Sequence, residues 1–91
     1  MKYVILKGTR RTAEEQTYIW ATMRMWSCLP DEQRRRVLAL VEEIALTPLE
    51  GRALFDMMVR GLPPQTVAQR TGTAVKRLYS MRREFIDRYA I

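Results

Sequence analysis

The sequence predicts an all-α fold of about five helices that closes on a C-terminal helix-turn-helix, and three observations lead there. Apolar residues recur at three- and four-residue steps through most of the chain, the period of a helix with one buried face. Helix-starting residues (Thr12, Pro30, Thr47, Pro64, Thr73) and helix-stopping glycines (Gly61, Gly72) punctuate those stretches. Only one run, Lys2-Tyr3-Val4-Ile5-Leu6-Lys7, is rich in β-formers, and one strand is not stable alone. Three outcomes are open to it: a short N-terminal strand paired with a symmetry mate, an extended segment lying along the helices, or disorder.

The 91 residues suit a single domain, in which residues 1–11 are a basic leader, 12–45 the N-terminal helices and 46–91 the helix-turn-helix unit. Net charge is +6, and it is unevenly spread. Residues 1–11 carry four cations and no acid; residues 12–59 carry five Arg against eight acids; residues 60–91 carry seven cations against Glu84 and Asp87. Two basic ends around an acidic middle suit a polyanionic partner at the ends. The exclusions are as informative. There is no His, and Cys28 is alone, so no disulfide framework, metal knuckle or His-based catalysis is expected, and no cofactor. Adjacent acids such as Glu14-Glu15 and Glu42-Glu43 diverge by about 100° on a helix and cannot share a pocket. No apolar run approaches the roughly 18–20 residues of a membrane span, and the first residues are too short and too charged for a signal peptide, which leaves the cytoplasm as the expected compartment.

Thr12-Ala13-Glu14-Glu15 has the form of a capping box and opens a helix expected to reach about Ser27. Ile19, Trp20, Met23 and Trp26 make its apolar face, and Tyr18 and Met25 widen it. Two Trp in a small domain are most simply core; a partner surface is the alternative, and Tyr18, Trp20, Met23 and Trp26 would be the dimer contacts under it. A second helix starts at Pro30 or Asp31, with Val37, Leu40, Val41 and Ile44 inward. Within it, Arg34-Arg35-Arg36 spread over about 200° and read better as a solvated face paired with nearby acids than as one nucleic-acid motif. Thr47-Pro48-Leu49-Glu50 predicts the sharpest start in the chain, with Thr47 as N-cap, Pro48 at the first position and Glu50 closing the box. That helix is expected to bury Leu49, Ala53, Leu54, Met57 and Met58 and to stop at a left-handed Gly61. A short helix from Pro64 to about Arg70, a turn at Gly72, and a last helix from Ala74 to about Tyr89 complete the chain, Thr73 being able to cap the last one.

A helix that reads the major groove needs long donors near its start and smaller polar groups beside them. Lys76, Arg77 and Ser80 supply these, Tyr79 can pack on a thymine methyl or bond a phosphate, and Arg83, one turn on, is placed for a backbone phosphate. Free amides at the start of the Pro64 helix, with Gln65 and Thr66, can hold a phosphate across the groove. Double-stranded DNA is therefore the expected partner.

The stretch Leu46-Thr47-Pro48-Leu49-Glu50, followed by Gly61 and Val67-Ala68, resembles the LuxR/GerE-type helix-turn-helix and the related region 4 of sigma factors. The resemblance covers about half the chain. It implies a bacterial, plasmid or phage transcription regulator with Lys76, Arg77, Tyr79, Ser80 and Arg83 on the DNA-reading face. The recognition helix ends in Tyr89-Ala90-Ile91 where the family has Leu-Gly-Val, and the sequence departs from the family where Ala74 replaces a capping Ser and where the chain stops at the place of a fourth, often dimerising helix. The layout of the whole chain is similar to PapB-type fimbrial regulators and KorA-type plasmid repressors, which implies binding as a dimer or higher oligomer.

The expectation is thus a homodimeric, sequence-specific DNA-binding regulator in which Arg77 reads a base, so that its loss relaxes specificity at one base pair. The alternative is a protein-binding adaptor or anti-activator of similar fold that contacts RNA polymerase or another regulator. DNA affinity that falls with salt separates the first from the second.

Overall fold

Each helix begins where the sequence supplies a cap or a proline. The computed structural model describes residues 3–91, which form five α-helices and one short 3₁₀ turn; no strand occurs among them. Helix α1 (Ala13–Arg24) opens on the expected box: Thr12 Oγ1 accepts from the Glu15 amide at 3.1 Å, and Glu15 Oε1 accepts from the Thr12 amide at 2.9 Å. It ends three residues short of the expected Ser27. Leu29, held extended ahead of Pro30, cannot continue a helix, and the chain tightens into a 3₁₀ turn at Trp26–Cys28. That turn lets the Trp26 ring meet Phe55 edge-on, centroids 5.2 Å apart.

Helix α2 (Asp31–Ile44) buries Val37, Val41 and Ile44. Its Arg34 and Arg36 pair with Asp31 and Glu32 one turn back, as a solvated face would. Helix α3 (Pro48–Met58) starts with Thr47 Oγ1 on the Glu50 amide at 3.1 Å and buries Ala53, Leu54, Met57 and Met58. Leu49, expected in the core, is exposed, because the first turn of α3 projects past the packed helices with Thr47 and Pro48. At the other end the helix stops at Met58, and Gly61 turns the chain at φ +70°. The carbonyls left open there are met by a side chain from elsewhere. Arg24, the last residue of α1, donates through Nη1 to the Met58 and Val59 oxygens at 2.7 and 3.3 Å.

Helices α4 (Pro64–Thr71) and α5 (Val75–Arg88) are joined by Gly72, whose φ of +74° and amide bond to the Ala68 oxygen (2.8 Å) end α4 as a left-handed cap. Thr73 does not cap α5. Its hydroxyl is engaged with Thr71 at 3.0 Å, and Ala74 stands at the cap with no side-chain bond. Helix α5 packs against α2, α3 and α4, and its Leu78, Met81, Phe85 and Ile86 are fully buried in the one core to which all five helices contribute. Trp20, 3% exposed, and Met23, 0%, belong to that core, so neither is available to a dimer contact; Tyr18 remains exposed and Trp26 half-buried.

Of the three outcomes open to the N-terminal run, its described part lies along the helices; Lys2 is outside the described residues. The buried amide of Gln16 substitutes for a neighbouring strand. Its Oε1 accepts from the Leu6 amide at 2.7 Å, and its Nε2 donates to the Leu6 oxygen at 3.2 Å. Trp20 Nε1 donates to the Val4 oxygen at 2.8 Å. The segment then crosses to α5, where the Arg10 amide meets Asp87 Oδ1 at 2.9 Å and Arg11 reaches the Ile86 and Tyr89 oxygens.

Gly61 and Gly72 make a controlled pair. Both have positive φ, but a Cβ on Gly61 would sit 2.2 Å from Arg24 Nη2, whereas nothing lies within 4 Å of one on Gly72. Gly72→Ala is expected to cost about 1 kcal/mol, the conformational penalty alone. Gly61→Ala should cost about 2–3 kcal/mol, because it also displaces Arg24 from the end of α3. Urea denaturation measures both; equal losses would show that the Arg24 cap adds nothing.

Candidate nucleic-acid interface

The outer side of α5 follows from what its inner side buries. With Leu78, Met81, Phe85 and Ile86 in the core, Lys76 and Ser80 stand exposed, and Tyr79 and Arg83 are half-buried at the margin. Lys76 and Arg83 have no ion-pair partner among the described residues, and the two acids of α5 are engaged elsewhere. Asp87 accepts from the Arg10 amide, and Glu84 pairs with Arg88 at 2.9 Å. The margin is structured. Gln65 Nε2 donates to the Tyr79 hydroxyl at 2.9 Å, which ties the start of α4 to the first turns of α5. Helix α4 has Pro63 at its N-cap and no side-chain cap, so the Gln65 and Thr66 amides stay free beside that bond. The aliphatic stem of Arg83 runs beside Gly8, where an added Cβ would lie 3.5 Å from its Cδ. The two basic ends of the chain, far apart in sequence, therefore meet along α5.

Arg77 departs from the expectation. It does not face outward with Lys76 and Ser80. It turns back to α3, where Nε and Nη2 donate to Glu50 Oε2 and Oε1 at 3.2 and 3.0 Å, and Nη2 also donates to the Ile44 oxygen at 3.1 Å. A fork-on-fork pair of this kind fixes geometry as well as charge. A guanidinium so engaged is not free to read a base, so Arg77, unlike Lys76 and Ser80, is not on the outer side of α5. Glu50 departs with it. Its carboxylate does not return to the Thr47 amide as a full box requires; it accepts from the Leu46 amide at 2.9 Å and spends its remaining lone pairs on Arg77.

The electrostatics agree with the geometry. Hydrogen bonds from Arg77 first, and then from the Leu46 amide, hold the Glu50 carboxyl below its ordinary value of 4.5, and Glu50 in turn raises the Arg77 guanidinium. The Thr12 backbone bond likewise lowers Glu15. The helical period places Met81 or Arg82 on the inner face of α5, and both are buried there, Arg82 at 8% exposure. Spacing does not distinguish Arg24 from other helix-end cations. Among the described residues no helix is long and apolar enough to cross a membrane.

Two outcomes test this arrangement. Arg77→Ala and Glu50→Ala should each lower stability by about 1–2 kcal/mol, with the double variant losing less than the sum, because either single change strands a half-buried charge. Additive losses in a denaturation cycle would break the pairing. Below its ordinary value the Glu50 carboxylate begins to take up a proton, more readily unfolded than folded, so its contribution to stability is complete above pH 4.5 and declines as pH falls through the lower folded value. Glu50→Gln should flatten the acid limb of stability against pH; an unchanged limb counts against it.

No family model matches the chain, and neither a curated protein nor a solved structure matches it.

Proposed function

We propose that the chain is a sequence-specific DNA-binding transcription regulator, with α4 and α5 acting as a helix-turn-helix that lays α5 in the major groove. The observation that carries the reading is the outer side of α5: Lys76 and Arg83 without acidic partners, Ser80 exposed between them, and the basic N-terminal segment running alongside at Gly8. A long donor near the helix start with a small hydroxyl one turn on suits base edges, and a cation one further turn along suits a phosphate. The Gln65 and Thr66 amides at the start of α4 suit a second phosphate, with Tyr79 holding Gln65 in place. The resemblance of residues 46–91 to LuxR/GerE-type and sigma region 4 sequences points the same way.

A single reading helix covers too little DNA for the usual specific affinity, so the working form is a homodimer on two half-sites. Its contact uses exposed residues such as Tyr18, not the buried Trp20 and Met23.

A second reading, an adaptor that docks on RNA polymerase or another regulator, is favoured by one feature. Leu38 and Leu46, 44% and 81% exposed, line an apolar groove between α2 and the start of α3 with Val41, Pro48 and Phe55.

Selection of bound sequences from random duplexes at two salt concentrations discriminates the two. For the regulator, log affinity falls steeply with log salt, by roughly 0.9 per phosphate neutralised. Lys76→Ala should cost about 1–3 kcal/mol and relax one position of the selected site, whereas Arg83→Ala should weaken all sequences alike and reduce the slope by about 1. No enrichment at either salt, with capture of a protein partner that survives high salt, would favour the adaptor. Sedimentation that finds only monomer at micromolar concentration, with and without DNA, would remove the dimer.

A further inference from the structure

Two guanidinium groups face the same indole, and only one of them is satisfied. Arg24 Cζ lies 5.7 Å from the Trp20 ring centroid and Arg82 Cζ lies 6.0 Å from it. Arg24 spends its donors on the Met58 and Val59 oxygens. Arg82 has no hydrogen bond and no ion pair among the described residues, although it is more than nine-tenths buried and its Nε is fully enclosed without a partner. A second ring, that of Tyr79, lies 5.3 Å from its Cζ to centroid.

Ring contacts offset only part of the cost of enclosing a charge with five unused donors. No acid among the described residues completes the balance: of the acids on α5, Glu84 is held by Arg88 and Asp87 by Arg10, and the neighbours that act on Arg82 are Tyr79, which favours its charge, and Arg83, of like sign, which opposes it. Burial lowers its pKa from the ordinary 12.5, the direction for a cation short of partners, yet a guanidinium stays protonated near neutral pH. Only Nε is both enclosed and unpartnered, which leaves the residual exposure of the group with its Nη ends. The ring that covers it carries the hydroxyl bonded to Gln65, beside the free amides of α4. Two rings hold this planar cation, and no carboxylate among the described residues pairs with its charge.

We propose that Arg82, held against the Trp20 and Tyr79 rings, is a preorganised seat for one backbone phosphate of the bound duplex, taken by its Nη donors at the edge of α5. This rests on the DNA-binding reading and adds to it a contact that carries affinity without sequence preference. A phosphate oxygen supplies the missing acceptor and the missing negative charge together, and a guanidinium with few rotamers left binds it with little further ordering.

Arg82→Met and Arg82→Lys in the full chain test the seat. If the guanidinium serves a ligand and not the fold, Arg82→Met keeps or raises the thermal midpoint, since it removes an unpaired buried charge. It then weakens binding to a random-sequence duplex about ten-fold at low salt and lowers the salt slope by about 0.9. Arg82→Lys retains the wild-type slope. A lowered midpoint for Arg82→Met with an unchanged slope, or a slope for Arg82→Lys as low as that of Arg82→Met, overturns the proposal in favour of a structural role. Absence of wild-type binding to any duplex would instead sink the DNA reading, and inorganic phosphate then judges the seat alone. A wild-type midpoint raised by phosphate, with Arg82→Met indifferent, retains the seat and removes DNA as its source; no rise in either protein removes the seat as well.

Discussion

The half-buried pair between Glu50 and Arg77 is the constraint on which the arrangement of the C-terminal half depends. Glu50 is the third residue of α3 and Arg77 the third of α5, and through the Leu46 amide and the Ile44 oxygen the same two side chains also hold the end of α2. Three helix termini are thereby drawn to one point. A pair with this many directed bonds specifies an orientation more strongly than it adds free energy, because the desolvation of both groups offsets most of their attraction. The orientation it specifies is the rotation of α5. With Arg77 turned inward, Lys76 and Ser80 are turned outward, and the apolar positions Leu78 and Met81 drop into the core.

The other organising contact is quieter. Gln16 offers Leu6 one acceptor and one donor, as a neighbouring strand would, so an extended segment is held without a sheet. Its consequence is electrostatic. Two of the leader's cations, Arg10 and Arg11, end up bonded to the last turn of α5, a helix that carries five cations of its own. Like charges are brought together at a cost, which the carbonyls of α5 and the Asp87 carboxylate partly offset.

Most of the fold was legible because it is written in short-range signals. The Thr12 and Thr47 caps, the prolines at the starts of α3 and α4, and the left-handed Gly72 each act within four residues and need no partner from elsewhere. The apolar period located the core of α2 nearly residue for residue. What was misread is long-range. Arg77 and Glu50 are 27 positions apart, and nothing local says that a cation on a predicted outer face will reach back to an acid already expected in a box. Leu49 kept the helical period but not the burial, since the period says which face and not how far the neighbouring helices extend. Trp20 and Tyr18 are two residues apart on one helix, and only the packed structure separates core from surface there. Arg24 was passed over for the same reason, its acceptors lying 34 and 35 residues away.

The local rules fail together at one place. Helix α5 begins with Ala74 at the cap and no side-chain bond, has no acid in its first turn, and carries Lys76 and Arg77 there, where the helix dipole disfavours cations. Arg77 finds its own carboxylate; Lys76 does not. Two turns on, Arg82 is enclosed without a counter-charge. Sequences usually satisfy caps, dipole and buried charge at once, and departures gather where function requires them. Here the departures share one sign: each leaves positive charge or open donors along the same helix, beside the uncapped start of α4. Unrelated packing accidents would scatter in sign and place. On the function proposed above, a polyanion lying along α5 would answer all of them with one partner, meeting Lys76 at the helix start, Arg82 beside its two rings and the free amides of Gln65 and Thr66 between.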